Sequence, residues 1–223
     1  MGPSLRRNHI GIAEQEHLRS RRGLDLRALN ALIASWLPIF TLSTPSFAGT
    51  IREHPAHGMS IVRFAELDSG VYKGSKPKTD ADFAFLKSKH IKYILQLRFL
   101  PLLSRAEQKR ARRYGISLIS VYINASPKSP SEKHVNRILE ILHDRCYRPI
   151  YFHCDIGRDR SSLIATLYQV YFKGLAPEDA WQKMKGFGFK DSWDLSGLKK
   201  YLVKHPTPPA SLAVPSHTCA PAR

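Results

Sequence analysis

The residues best suited to chemistry lie in one stretch, residues 149–162, which reads PIYFHCDIGRDRSS. The apolar run Ile150–Phe152 is typical of a buried strand, a compact loop begins at Cys154, and Ser161 opens a segment with helical spacing. A strand, a tight loop and a helix N-terminus together favour anion binding, because backbone N–H groups and the positive end of the helix dipole point into the loop. A thiol in that field ionises more readily than a free thiol, and Arg160 can hold two phosphate oxygens with its planar guanidinium. The stretch therefore predicts a nucleophilic thiolate beside a phosphate cradle.

Residues 153–161 resemble the signature loop of the cysteine-dependent protein tyrosine and dual-specificity phosphatases, which reads His-Cys, five residues, Arg, then Ser or Thr. The resemblance implies that Cys154 attacks phosphorus to form a phosphocysteine while Arg160 binds the equatorial oxygens. It also implies that Ser161 assists hydrolysis of the intermediate and that His153 orients the loop and favours the thiolate. This chemistry needs no metal or other cofactor. The residues expected to line the phosphate site are Asp155, Ile156, Gly157, Arg158, Asp159 and Arg160.

Formation of a phosphocysteine also needs an acid that protonates the leaving oxygen. In many relatives this acid is an Asp on a separate loop before the signature loop, but residues 122–127 contain no carboxylate. Asn124 is nearest to the expected place, and Glu132 falls in the first turn of a predicted helix, where it serves the helix dipole. Some bacterial relatives with Lys-Asp-Arg in the loop use that loop Asp, and Asp159 with its two arginine neighbours resembles this pattern. Asp159 is therefore the candidate acid, and the alternative is that it pairs with a neighbouring arginine and only shapes the loop.

The predicted function is phosphomonoester hydrolysis by a protein tyrosine or dual-specificity phosphatase. An inositol or sugar phosphate and a phospholipid headgroup are alternative substrates of the same fold. A phosphate-binding module with weak or no catalysis is an alternative from another class, since no conventional acid is present. A rhodanese-type sulfurtransferase fits less well because an Arg-Ser pair follows the loop, and a purely structural cysteine is disfavoured because buried strands rarely end in a run of charges.

The chain is strongly basic, with a formal net charge of +17 over 223 residues. Its first 48 residues contribute only three of these charges, six arginines against three acids, so the remainder is itself basic. This balance favours anionic partners. A phosphorylated anionic substrate is expected, and nucleic acid is not, because no recognised nucleic-acid-binding motif is present. The length suits one well-filled domain and leaves the oligomeric state open.

The N-terminal segment is typical of a secretory signal. Arginines crowd its start, residues 28–42 are largely apolar, and small residues precede a cleavage site after Ala48. We therefore divide the chain into a signal peptide (1–48), a phosphatase domain (49–204) and a flexible Pro-rich tail (205–223). Export to a bacterial periplasm is expected, without stable membrane insertion once the signal is cleaved. An inner-membrane anchor through residues 28–42 and a cytosolic N-terminal helix are the alternatives.

Strands that alternate with helices predict an α/β domain with a mainly parallel central sheet and helices on both faces. This is also the dual-specificity-phosphatase-like fold that the resemblance implies for about residues 71–203. The predicted strands are 61–64, 71–73, 91–97, 116–123 and 150–152, the first two joined by a turn-rich link over 66–70. The predicted helices are 79–89, 104–114, 131–146, 161–172, one that starts at Pro177, and 195–203.

Three further features complete the prediction. Ser104 and Glu107 have the spacing of a capping box for the second helix. The segment 71–77 resembles the Tyr-Arg-Gly-Ser-x-Pro entry of small dual-specificity phosphatases. Arg98 follows a strand that in the family often ends in Leu-Arg at the active-site edge, although it is equally well explained as a surface charge.

The chain has three cysteines, so a disulfide would leave one of them unpaired. Cys146 and Cys219 could pair and leave Cys154 as the thiolate, but the sequence leaves this open. No set of His, Cys and carboxylate residues has zinc-like spacing. His134 and His143, nine residues apart on one helix, are interpreted as surface histidines.

Overall fold

The fold is that of a computed structural model, which describes residues 58–97 and 104–212. The predicted signal peptide and anchor, Arg98 and Cys219 lie outside the described residues. Within the described part, no helix is both long and apolar enough to cross a bilayer.

A five-stranded sheet forms the centre of the domain. Its strands are β1 (Ala65–Asp68), β2 (Val71–Gly74), β3 (Tyr93–Gln96), β4 (Ser117–Ser120) and β5 (Ile150–His153). The order across the sheet is β1-β2-β5-β3-β4, and only the β1–β2 pair is antiparallel. The prediction of a mainly parallel sheet is confirmed, and β5, which precedes the signature loop, is the middle strand.

Within the described part of the chain, six helices surround the sheet: α1 (Asp80–Ser88), α2 (Arg105–Arg113), α3 (Glu132–His143), α4 (Arg160–Phe172), α5 (Ala180–Gly186) and α6 (Ser196–Lys204). Short 3-10 turns occur at Arg145–Tyr147, Pro177–Asp179, Trp193–Leu195 and Ala210–Leu212. The predicted helices are present, with the last two each divided into a 3-10 turn followed by an α-helix. Pro177 begins the turn before α5, because it has no N–H to donate and its fixed φ suits a helix start.

The two faces of the sheet bury separate cores. In β5, Ile150 and Phe152 join the larger core, which contains side chains of α3, α4, α5 and α6. Tyr151 points to the opposite face and joins the smaller core beneath α1 and α2. Because strand side chains alternate between faces, the His153 side chain lies on the same face of the sheet as Tyr151, the face covered by α1 and α2. The chain then enters the loop that leads to α4.

The first strand was predicted too early. Residues 60–62 are held by side chains instead of a strand ladder: the Ser60 and Ile61 N–H groups donate to the Asp82 carboxylate, and the Val62 N–H donates to Ser75 Oγ. The strand itself begins at Ala65, and the predicted link over 66–70 reduces to the tight turn between β1 and β2. Gly70 adopts φ +75° in this turn, a conformation that glycine tolerates best.

The predicted capping box at Ser104 and Glu107 is wrong. Ser104 has helical backbone angles and makes no side-chain cap hydrogen bond, because Glu107 turns inward and is 2% exposed. A complete capping box occurs instead at α1, where Thr79 and Asp82 satisfy each other's backbone N–H groups.

The C-terminal residues that the structure describes lie against the domain. The His205 ring stacks on Tyr201 at 4.0 Å between centroids, and Leu212 is 4% exposed within the larger core. Cys146 is disulfide-bonded and Cys154 is a free, buried thiol. The cysteine expected to act as the nucleophile is therefore the unpaired one.

Candidate active site

The signature loop connects the middle strand of the sheet to the most buried helix. Cys154 directly follows β5 and is 1% exposed, and α4 begins at Arg160. The strand end is fixed on one side by the Leu97 N–H, which donates to the His153 carbonyl at 2.9 Å. The predicted strand–loop–helix arrangement is present, with the thiol at its base.

Four consecutive carbonyl groups of the loop accept hydrogen bonds from donors outside it. The contacts are His153 Nδ1 to the Cys154 carbonyl (2.9 Å), Lys76 N to Asp155 (3.1 Å), Arg63 Nη1 to Ile156 (3.0 Å) and Lys73 Nζ to Gly157 (3.2 Å). We call these four donors the outer clamp. In a planar trans peptide the N–H points opposite to the C=O, so outward carbonyls turn the next four N–H groups inward. The loop thus presents the N–H groups of residues 155–158 toward its centre, as a phosphate cradle requires.

Gly157 lets the loop lie against the backbone of the neighbouring strand. It has φ +68°, and a Cβ at this position would lie 2.6 Å from both the Gly74 carbonyl carbon and the Ser75 nitrogen. Only a residue without a side chain fits this approach. The close contact also brings the Gly157 carbonyl within reach of Lys73 on β2.

Lys73 is a buried cation that sequence reasoning did not assign to the site. Its side chain is 0% exposed, and Nζ donates to the carbonyls of Gly157 and Phe187 and lies 4.8 Å from the centroid of the Phe187 ring. Burial lowers the pKa of Lys73 to about 7, the Cys154 charge opposes this shift, and Arg63 adds to it. The only sequence signal was the resemblance over residues 71–77, in which Lys73 stands at the arginine position.

The first turn of α4 supplies Arg160 and Ser161. Arg160 Nη1 donates to the Leu97 carbonyl at 3.0 Å, and Arg160 Nε is buried without a hydrogen-bond partner among the described residues. Ser161 is fully buried, with Oγ 3.5 Å from Cys154 Sγ. The structure thus places three of the predicted catalytic groups together: a thiol, a hydroxyl beside it, and a guanidinium fixed at one end.

The candidate acid Asp159 is paired with the neighbouring arginine. Arg158 Nε and Nη2 donate to the two Asp159 carboxylate oxygens at 2.8 and 3.2 Å. The pKa of Arg158 is raised, mainly by this hydrogen bond, with a further contribution from the charge of Asp194. Because Asp159 binds Arg158, it makes no side-chain cap at the start of α4.

The other two positions considered for the acid are engaged elsewhere. Asn124 Nδ2 donates to Ser126 Oγ at 2.6 Å within its own loop. Glu132 lies in the first turn of α3, as predicted, with a carboxylate oxygen 3.9 Å from His205 Nε2. Asp194, in the turn before α6, is a carboxylate that sequence reasoning missed, and its charge reaches Arg158.

His153 lies next to Cys154, as the resemblance implied. Its side-chain partner is Glu107, which the sequence analysis had assigned to a capping box. Its Nε2 lies 2.7 Å from Glu107 Oε1, and both side chains are 0% exposed. The remaining predicted site residues, Asp155 and Ile156, lie at the exposed top of the loop, where Ile156 is 43% exposed. No cluster of metal-binding side chains occurs among residues 58–97 and 104–212.

Comparison with known proteins agrees with this geometry. Residues 52–192, well over half of the chain, match the family model described as DSP-PTPase phosphatase fused to NAD+ kinase. The chain belongs to this family. The predicted family and the predicted class of enzyme, a cysteine-dependent phosphatase whose chemistry needs no metal, are thereby confirmed.

Solved structures share the fold at low sequence identity. The core catalytic domain of the PP-IP phosphatase Siw14 from S. cerevisiae is 20% identical, with a TM-score of 0.53, over 62% of this chain and 84% of that one. TpbA from P. aeruginosa is also 20% identical, with a TM-score of 0.51, over 62% of this chain and 82% of that one. A TpbA variant has been solved in complex with pTyr. None of the curated proteins compared with this chain matches it in sequence.

Proposed function

We propose that this phosphatase hydrolyses phosphomonoesters through a phosphocysteine formed on Cys154. The observation that carries the proposal is the outer clamp, which turns four consecutive N–H groups toward the space above a buried, unpaired thiol. Such a loop favours a dianion and a thiolate for the same electrostatic reason.

The reaction proceeds in two displacements. The Cys154 thiolate attacks phosphorus, the bond from phosphorus to the ester oxygen breaks, and the leaving oxygen takes a proton from an acid. Water then attacks the phosphocysteine and returns a proton to the conjugate base of that acid, the sulfur–phosphorus bond breaks, and phosphate is released with the Cys154 thiolate restored. Arg160 contributes Nε to the transferring group while Nη1 stays on Leu97, and Ser161 Oγ, 3.5 Å from the sulfur, stabilises the departing thiolate.

Asp159 remains our candidate for the acid. It is mostly buried, follows Arg158 in the loop and is the carboxylate nearest to Arg160 in sequence. For it to donate, its hydrogen bonds with Arg158 must rearrange when substrate binds.

Phosphotyrosine on a protein is the substrate class that we favour. Ile156, on the catalytic loop, and Trp193, which is next to Asp194 in sequence and 80% exposed, are large apolar side chains exposed on the described part of the chain. An aromatic leaving group gains from apolar contact of this kind. Inositol phosphates are the second candidate, supported by the basic charge of the chain and by two cations, Arg63 beside the loop and Arg158 within it.

Hydrolysis of para-nitrophenyl phosphate with and without vanadate tests the activity. We expect turnover that vanadate abolishes and EDTA does not affect. Cys154→Ser should reduce turnover below about one per cent, because an alcohol is a far weaker nucleophile, yet retain binding of a phosphotyrosine peptide measured by calorimetry. Absence of turnover in the wild-type protein together with intact peptide binding would support the phosphate-binding module instead.

A substrate panel separates the two substrate classes. Phosphotyrosine peptides and inositol polyphosphates are compared by kcat/KM under the same conditions, with Trp193→Ala as the variant. The aromatic substrate should lose efficiency in this variant and the inositol phosphate should not. A preference of the wild type for inositol phosphates would reverse our assignment of the substrate class.

We also propose export to a bacterial periplasm with cleavage after Ala48. The signal-like pattern of residues 1–48 supports this proposal, and a disulfide at Cys146 suits an oxidising compartment. N-terminal sequencing of protein from the periplasmic fraction should begin at Gly49. Recovery with residues 1–48 attached would indicate the membrane anchor, and recovery from the cytosol alone would exclude export.

A further inference from the structure

Glu107 is a fully buried carboxylate on a cationic helix whose other charged residues are exposed or half-buried. It lies in the first turn of α2, whose sequence RAEQKRARR contains five basic residues, yet its side chain is 0% exposed. An exposed carboxylate at this position would interact favourably with the helix dipole and would remain hydrated. A buried carboxylate is costly unless donors surround it, so its partners indicate why it points inward.

Each identified partner of the Glu107 carboxylate is a hydrogen-bond donor or a cation. His153 Nε2 lies 2.7 Å from Oε1, Gln96 Nε2 donates to Oε2 at 2.9 Å, and Lys76 Nζ is 3.9 Å from Oε2. The Gln96 amide is oriented by Ser120 Oγ, which donates to Gln96 Oε1 at 3.1 Å. The Gln96 amide nitrogen and the Lys76 ammonium can only donate, so the Glu107 carboxylate acts as an acceptor toward them.

When Glu107 also accepts from Nε2, His153 is a donor at both ring nitrogens. Its Nδ1 lies 2.9 Å from the Cys154 carbonyl, which can only accept, and its Nε2 faces the Glu107 carboxylate. A ring with two protonated nitrogens is an imidazolium. The neighbouring phenol of Tyr151 stays neutral, because burial first, and the charges of Asp82, Cys154 and Glu107 second, raise its pKa well above the ordinary value.

We propose that Glu107 is a positioning residue of this active site. It holds His153 as a doubly protonated donor, and the Nδ1–H of His153 fixes the Cys154 carbonyl outward. Peptide planarity then directs the Asp155 N–H into the cradle, beside the sulfur. Glu107 thereby supports the first of the four contacts of the outer clamp and keeps an imidazolium one residue from the nucleophile. The inference rests on the proposed function, because it concerns the same active site.

The protonation of His153 tests the inference without any substitution of Glu107. The full chain is labelled with ¹⁵N-histidine, and His153→Asn identifies the His153 signals. We expect both imidazole nitrogens of His153 to be protonated at pH 7 to 8. A neutral ring with a single N–H would overturn the proposal, and this measurement holds even where Glu107→Gln does not fold.

The variant Glu107→Gln tests the effect on the nucleophile. Its matched control is Glu140→Gln on α3, whose carboxylate is 40% exposed and pairs with Arg137. Alkylation of Cys154 by iodoacetamide is followed over pH by mass spectrometry of the Cys154 peptide, and folding is checked by circular dichroism. In Glu107→Gln, half-maximal alkylation should move to higher pH and kcat/KM should fall by about tenfold to a hundredfold. The control should match the wild type.

The outcomes separate this inference from the proposed function. Wild-type protein without phosphatase activity would contradict the proposed function, whereas the ¹⁵N and alkylation measurements would still report on Glu107. Loss of activity in Glu107→Gln with unchanged alkylation and a still doubly protonated His153 would mean that Glu107 acts only on stability, and the proposal would be wrong.

Discussion

Arg160 is tethered to Leu97 by one end of its guanidinium, with Nη1 donating to the Leu97 carbonyl at 3.0 Å. The carbonyl belongs to the residue that directly follows β3, and the N–H of the same residue binds the end of β5. Leu97 thus joins the two strands and the catalytic arginine at one point. The tether holds one end of the guanidinium, and Nε is buried without a hydrogen-bond partner among the described residues.

Arg160→Lys should reduce kcat by about a hundredfold to a thousandfold, the cost of one preorganised donor to a developing charge. An ammonium cannot bind the Leu97 carbonyl and grip two phosphate oxygens in a plane at the same time. Steady-state kinetics with para-nitrophenyl phosphate measure the loss. Arg137→Lys, in an exposed ion pair on α3, is the control that should retain full activity. A near-normal rate for Arg160→Lys would exclude the bidentate contact.

Asp159→Asn should slow the hydrolysis of alkyl phosphates far more than that of aryl phosphates. A phenolate leaves with little help, whereas an alkoxide needs a proton. The measurement is the ratio of kcat/KM for phosphoserine and phosphotyrosine peptides, compared with the wild type. An equal loss on both substrates would indicate that Asp159 only holds Arg158, and Asp194→Asn would then be the next variant to compare.

Lys73→Met should change how stability depends on pH. The pKa of Lys73 is about 7 in the folded protein against 10.5 for the ordinary side chain, so between these values the unfolded chain binds a proton that the folded one does not. This difference makes wild-type stability rise with pH across that window, by about 1.4 kcal/mol per unit at most, with no slope from Lys73 below it. Urea unfolding at pH 6 to 10 should show that Lys73→Met lacks this rise.

The control for the lysine experiment is Lys87→Met, at an exposed position on α1. Its unfolding free energy should follow that of the wild type at each pH. Because Lys73 also donates to the Gly157 carbonyl, Lys73→Met should lower kcat as well. Parallel stability curves for the wild type and Lys73→Met would contradict the assignment of a buried, titrating amine.

Gly157→Ala should reduce activity as well as stability, because the added Cβ meets the neighbouring backbone in addition to straining its own. Gly115→Ala is a matched control, since Gly115 has φ +72° and nothing within 4 Å of an added Cβ. Each variant should lose about 1 to 2 kcal/mol of unfolding free energy from the left-handed conformation. Only Gly157→Ala must also push the loop away from Gly74 and Ser75, so its kcat should fall while Gly115→Ala remains active. Equal activities would show that the close approach is not needed.

The predictable part of the site is the part that is contiguous in sequence. Cys154, Arg160 and Ser161 were identified because six residues between a strand and a helix close into one loop, with Cys154 at its start and Arg160 and Ser161 directly after it. Glu107 and Lys73 were missed because their contacts with the loop span 46 and 84 residues. Local pattern misassigned Glu107 to a helix cap, and Lys73 was noted only as part of a resemblance. The fold class followed from alternating apolar strands and helices, whereas the start of β1 did not, because side-chain contacts from Asp82 and Ser75 fix residues 60–62.

The outer clamp also determines which residues must be conserved for the loop to keep its conformation and which residues can be substituted. Its donors come from residues 63–76 and from the end of β5, and none of them lies in the segment Trp193–Leu195, whose Asp194 contributes to the raised pKa of Arg158. Substitutions in that segment would leave the four hydrogen bonds of the outer clamp intact. Divergence in substrate choice within the lineage of this chain is therefore expected to accumulate around residues 191–195, with Arg63, Lys73 and His153 retained.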